Sequence, residues 1–275
     1  MTLSARNLYF RGGVILAALS LGCLTICGYI AFQVFPDAAG RAASRSLGII
    51  HSFAIADASS YVPFWTMVIA ALYSLISITL IYYFFEKTQA PEILFIGFFV
   101  ISLAFEFARI IIPLKEAIPV PNLLVITASR VLLFGRYFGL FSLFAAAVYA
   151  AGLDAQKQET FLLMLVLSAL IIAMNVPIDS LVWDSTFMLW NGYRTMLIVI
   201  ESVVLVITIV SFLISAYIKS SKSYIYIGIG IFLAYAGRFL LLNSDNWITP
   251  IPGLVILAAG TWFACSRLHL EYLWL

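Results

Sequence analysis

Eight long apolar runs, each of about 20 residues or more, set the terms on which this chain can fold. They cover approximately residues 12–34, 61–85, 92–112, 122–150, 160–178, 192–218, 223–243 and 250–268. A helix rising about 1.5 Å per residue needs about 20 apolar residues to cross a bilayer. Each run is therefore read as one spanning helix. Composition agrees: 64% of the residues are hydrophobic and 10% charged, against about 45–50% and about 25% in a soluble domain. The predicted fold class is an all-α membrane protein, a bundle of eight transmembrane helices forming a single membrane domain over residues 1–275. The first run follows Arg6 and Arg11 and is too long for a signal-peptide core of roughly 7–15 residues. It is read as an uncleaved first helix.

With the N-terminus in the cytoplasm, Arg6, Arg11, Lys87, Lys157, Lys219, Lys222 and Arg267 fall on the inner side. Arg41, Arg45, Lys115 and Arg194 fall on the outer side. This imbalance follows the positive-inside rule and places both termini in the cytoplasm. Trp65, Trp183, Trp190 and Trp247 then gather at the outer interface, where indoles prefer to sit. The longest connection, residues 35–60, has Arg41 and Arg45 one turn apart, with Ala39, Ala43, Leu47 and Ile50 on the other side. That spacing predicts a short amphipathic helix within residues 37–55, lying on the outer surface as a cover or a lid.

The chain also resembles itself. TMVI at 66–69 returns as TMLI at 195–198, and Ala108-Arg109 returns as Gly237-Arg238. Pro119-x-Pro121 with Arg136 matches Pro250-x-Pro252 with Arg267 at a shift two residues larger. If these pairs mark a duplication, the halves 12–150 and 160–268 are parallel four-helix repeats about an axis along the membrane normal.

The charges inside the runs carry the functional reading. Counting from the outer ends of the spans, Glu106, Arg109, Arg130, Glu201 and Arg238 fall in the outer half of the bilayer, on four different helices. A charge facing lipid costs at least a few kcal/mol, so these groups are expected to face the interior and one another. Glu106 and Arg109, at i and i+3, share one helical face. Three arginines against two glutamates leave one positive charge for an anion from outside, with Arg130 the residue expected to meet it. Two other readings of the cluster are ion pairs that fix helix register without a ligand, and a proton or ion pathway. Arg136 is deeper and is expected to snorkel to the inner headgroups.

Several classes drop out. No lysine lies within a span, so a retinal-like Schiff base has no position. His51 and His269 fall in connections on opposite sides and share no metal or haem site, and HExxH, GxSxG and P-loop patterns are absent. Cys23, Cys27 and Cys265 lie in apolar runs and are read as small hydrophobes. The net charge of +2 is too small to point to nucleic acid. Neither an enzyme nor a cofactor is expected. All nine prolines are placed at span ends or in loops, which argues against the broken helices of many secondary transporters. In general outline the chain is similar to the multi-helix membrane input domains of bacterial sensor proteins. The expected function is a receptor-like or sensor-type protein of the bacterial inner membrane. It would bind a small anionic or amphiphilic ligand in an outward-facing cavity, through Arg130, Arg109, Arg238, Glu106 and Glu201. Because the chain stops at SRLHLEYLWL, a separate partner protein would carry the signal. A transporter or lipid-handling permease component is the alternative, followed by a structural subunit of a membrane complex.

Overall fold

The computed structural model describes residues 3–35, 37–44, 59–85, 90–178 and 180–273. Over these residues the regular structure is helical, apart from a single antiparallel bridge between Trp183 and Leu189. The elements are α1 (Leu3–Tyr29, continued by a π turn at Ile30–Val34), α2 (Asp37–Ser44), α3 (Val62–Phe84), α4 (Pro91–Ser102), α5 (Ile111–Ala117), α6 (Asn122–Ala150), α7 (Gln158–Asn175), α8 (Arg194–Ile218), α9 (Ser223–Leu242) and α10 (Pro250–Leu273). Among the described residues eight helical stretches are long and apolar enough to cross a membrane, in the places the sequence predicts. The chain is a multi-pass membrane protein.

The third span forms the centre of the bundle. It runs from Pro91 to Ala117, and 83% of its most apolar window is buried, more than in any other span. Between α4 and α5 its backbone tightens into a 3-10 helix over Leu103–Ile110. Pro113 lies inside the span, in α5, and not beyond it as the sequence suggests. Having no N–H, it cannot complete the α-helical bond to the carbonyl four residues earlier, at Arg109. Hydrogen bonds of shorter span take over, with the Ile111 N–H donating to the Ala108 and Arg109 carbonyls. The helices are thus not all regular.

The tightest contact joins α9 to α10, which run antiparallel. Gly237 faces Gly253 and Gly230 faces Gly260, so the two backbones touch directly. A Cβ at Gly253 would sit 2.7 Å from the Leu241 nitrogen, and one at Gly260 would sit 2.7 Å from the Gly230 carbonyl oxygen. Small residues at heptad spacing are what permits such approach between membrane helices, where close backbone packing replaces the hydrophobic drive.

The two halves are not packed alike. α1 lies along α3, whereas α7 packs on α6 and makes no comparable seam with α8, the pair that a duplication would equate with α1 and α3. The 3-10 stretch at Leu103–Ile110 likewise has no counterpart in the continuous helix α9.

Short elements close the end of the bundle opposite the N-terminus. α2 packs on α5 with Ala38 and Ala42 buried, and the Arg41 Nη2 donates to the Glu116 carbonyl at 2.8 Å. The remainder of the expected outer segment, to residue 55, and with it Arg45 and His51, lies outside the described residues. Trp183 is covered by protein: it is buried, and its indole N–H donates to the Ala42 carbonyl at 2.6 Å. Trp65 and Trp247 are exposed. His269 belongs to α10, edge-on to Phe85. Cys265 is buried, and Cys23 and Cys27 are half-buried with sulfurs 3.8 Å apart.

Candidate functional site

A cavity of about 320 Å³ lies between α6, α8 and α9, and three helical stripes converge on it. α6 contributes Leu133, Arg136, Tyr137 and Leu140; α9 contributes Tyr235, Arg238, Phe239 and Leu242. Both follow the i, i+3, i+4, i+7 spacing of a single helix face. α8 extends the same pattern from Arg194 to Leu205 and includes Glu201 and Ser202.

The connection from α7 to α8 roofs the cavity with Asp184, Met188, Leu189, Trp190 and Asn191. Its turn is a miniature hairpin. The Asp184 N–H donates to the Met188 carbonyl at 2.9 Å, and the Trp190 N–H to that of Val182 at 2.8 Å. Phe187 takes a positive φ of 58° at the bend, a conformation unfavourable for a bulky residue. Asp184 Oδ1 compensates by accepting from the Thr186 N–H, the Thr186 hydroxyl and the Met188 N–H. At the rim the Arg194 guanidinium stacks over Trp190, 4.6 Å from the ring centroid.

Behind the cavity wall, Glu106 holds two arginines. Its Oε2 lies 3.0 Å from Arg109 Nε, a contact favoured by the 3-10 geometry, in which residues i and i+3 eclipse. Arg136, reaching across from α6, clamps the same carboxylate with both arms of its fork: Nε donates to Oε1 at 2.9 Å and Nη2 to Oε2 at 3.2 Å. Such bidentate, charge-assisted pairs are the strong ones. Arg136 therefore does not snorkel away. Arg109 is wholly buried and turns its Nη1 to the Thr186 carbonyl at 3.2 Å and the Leu242 carbonyl at 3.1 Å, tying the roof and the last turn of α9 to the core.

Arg238 is held differently. Its guanidinium lies over α6 at Gly139, where a Cβ would come within 2.9 Å of Nη1, and over the Phe99 ring at 5.7 Å. Nη2 donates to the Arg136 carbonyl at 3.0 Å, Nη1 has no partner, and among the described residues no carboxylate lies within ion-pair distance. Among the described residues, Glu201, across the cavity and half-buried, accepts only from the Tyr235 hydroxyl at 3.3 Å. Arg136, Arg194, Arg238 and the linked Arg109 face Glu201, Asp184 and Glu106, which leaves one positive charge in surplus.

Of the five residues expected at a ligand site, Arg238 and Glu201 line the cavity, while Glu106 and Arg109 stand behind it as structural partners. Arg130 is elsewhere: it points to α7, with Nη1 3.9 Å from the Met174 sulfur and Nε unpartnered. Six residues on an α-helix turn the direction by roughly 120°, so Arg130 and Arg136 cannot share a face. The sequence reading misses Arg136 and Arg194, although the stripe at 133, 136, 137 and 140 is visible in the letters. No family model, curated protein or solved structure matches the chain.

Proposed function

We propose that this is a receptor-like membrane protein that binds a small anion in the cavity between α6, α8 and α9. The roofed end faces the outside, and a separate partner protein reads out occupancy. The reading rests on one observation: Arg238 is 6% exposed, lines a cavity and has no carboxylate beside it. A buried guanidinium without a counter-ion is costly, and an arriving carboxylate or phosphate relieves that cost with paired hydrogen bonds. The orientation follows the excess of arginine and lysine at the end carrying the N-terminus, in a membrane of bacterial inner-membrane type.

In the purified protein, inorganic phosphate or short carboxylates should raise the unfolding temperature, and Arg238→Gln should abolish the rise. An equal rise in the variant removes the site. For orientation, a cysteine at Ile248 should react with an impermeant thiol reagent on intact cells, and one at Lys222 should not. A second reading, a transporter, is favoured by the 3-10 stretch in the third span, because irregular backbone within a span often marks a moving part. Uptake of labelled phosphate or carboxylate into proteoliposomes would establish it, whereas the receptor reading expects none.

A further inference from the structure

The cavity has two poles and a side opening. Arg238 on α9 supplies the positive pole and Glu201 on α8 the negative one, and neither has an oppositely charged partner within 4 Å among the described residues. A purely anionic ligand would satisfy the first and be repelled by the second.

α8, which carries Glu201, is buried against its neighbours at one end, the closed end, and lines the cavity at the other, the open end. At the closed end Gly228 admits Phe212, whose Cβ would lie 3.2 Å from a glycine Cβ. The fully buried residues of α8, namely Thr208, Phe212, Ser215 and Ala216, all lie in its half toward that end. At the open end three lining residues are exposed on the outside of the bundle: Ile198 at 54%, Phe239 at 56%, and Ser202. In a spanning bundle that outside is the bilayer. The cavity, at about 320 Å³, is at the small end of ligand sites, which run to about 1,000 Å³. It holds a polar group and leaves any attached tail in the gap.

We infer that the cavity takes a zwitterionic group, a phosphate together with a primary ammonium, with the phosphate on Arg238 and the ammonium on Glu201. This rests on the anion site proposed above and names its ligand chemistry. The group can come from the bilayer, as the head of a phospholipid admitted between α8 and α9, or from water, as the free head.

Titration calorimetry on the detergent-purified protein tests the pairing with four probes. They are dihexanoyl-phosphatidylethanolamine, dihexanoyl-phosphatidylglycerol, phosphoethanolamine and inorganic phosphate. The ethanolamine lipid should bind about tenfold more tightly than the glycerol lipid, the scale of one hydrogen bond to a charged group. Glu201→Gln should erase that preference without weakening the glycerol lipid, and Arg238→Lys should weaken both. If Arg238→Lys does not fold, Tyr235→Phe serves, since it removes the hydrogen bond that positions Glu201 without changing charge and should reduce the preference alone. Binding of phosphoethanolamine with the same dependence on Glu201 supports the pairing and assigns an aqueous source; binding of the lipid alone supports it and assigns the bilayer. A wild type that binds all phosphate probes equally, with no effect of Glu201→Gln, overturns the zwitterion and leaves the anion site standing. Failure of every probe to bind the wild type overturns both.

Discussion

The third and sixth spans look alike in the sequence, each a strongly apolar run interrupted by a glutamate, yet they occupy opposite situations. The third, Pro91–Ala117, has 83% of its most apolar window buried, and the sixth, Arg194–Ile218, has 11%. Glu106 is 2% exposed and gripped by two guanidiniums, whereas Glu201 is half-buried and gripped by one phenol. Hydropathy measures whether a helix tolerates an apolar surrounding, and lipid and protein interior are equally apolar. What separates the two glutamates is the company of other charges, and that is where structural and functional roles part.

The largest test of this contrast is neutralisation of each acid. Glu106→Gln strands the buried Arg109 guanidinium and the half-buried one of Arg136 and should cost about 3–5 kcal/mol in unfolding experiments in detergent micelles. Glu201→Gln should stay within about 0.5 kcal/mol, as at sites without buried partners. Equal losses would erase the distinction. A double-mutant cycle on Glu106→Gln and Arg136→Met sharpens it: the pair should show a coupling of about 0.5–3 kcal/mol, and strictly additive losses would dissolve the clamp.

Next in size is the grip on α9 from its two sides. Gly260→Ala places a methyl group against the backbone of α9 and should cost about 1–3 kcal/mol by overpacking. Gly228→Ala meets only the Phe212 side chain on the looser α8 side and should cost less, measured in the same unfolding experiment; the reverse order would mean that α8 is the tighter neighbour. A small effect is also expected of Arg130→Gln. It should change stability by less than about 1 kcal/mol and leave the phosphate-induced rise in unfolding temperature intact; loss of that rise would return Arg130 to the site.

These contrasts also show which parts of the molecule the letters carry. The spans are legible because length and apolarity are local properties. The Glu106–Arg109 pair is legible because its spacing is local too, and the structure brings the two together. Arg136 is misread because depth counted along one helix says nothing of a partner on another, and Glu106 is 30 residues away. Arg130 is misread because all apolar faces of a membrane helix look the same, so the direction of its side chain depends on which neighbours pack where. Pro113 is placed at the end of its span by its type, although the helix passes through it with a change of winding. The roof is invisible as a motif because its order comes from one aspartate collecting nearby N–H groups.

The glycine seam between α9 and α10 also has a mechanical side. Two rods pressed together along their backbones resist sliding and rolling, so they act as a stiff post. α8 buries side chains only along its half nearest the turn at residues 219–222, and beyond it the Tyr235–Glu201 hydrogen bond and the stack of Arg194 on Trp190 are its lighter ties, which makes it a cantilever held most firmly at the turn. Bending of a cantilever is greatest at the tip, so we expect thermal motion of the bundle to collect at the mouth of the cavity. A ligand bridging Arg238 on the post and Glu201 on the arm would act as a brace. Amide exchange slowed over residues 194–202, and unchanged over 208–216, would be its trace.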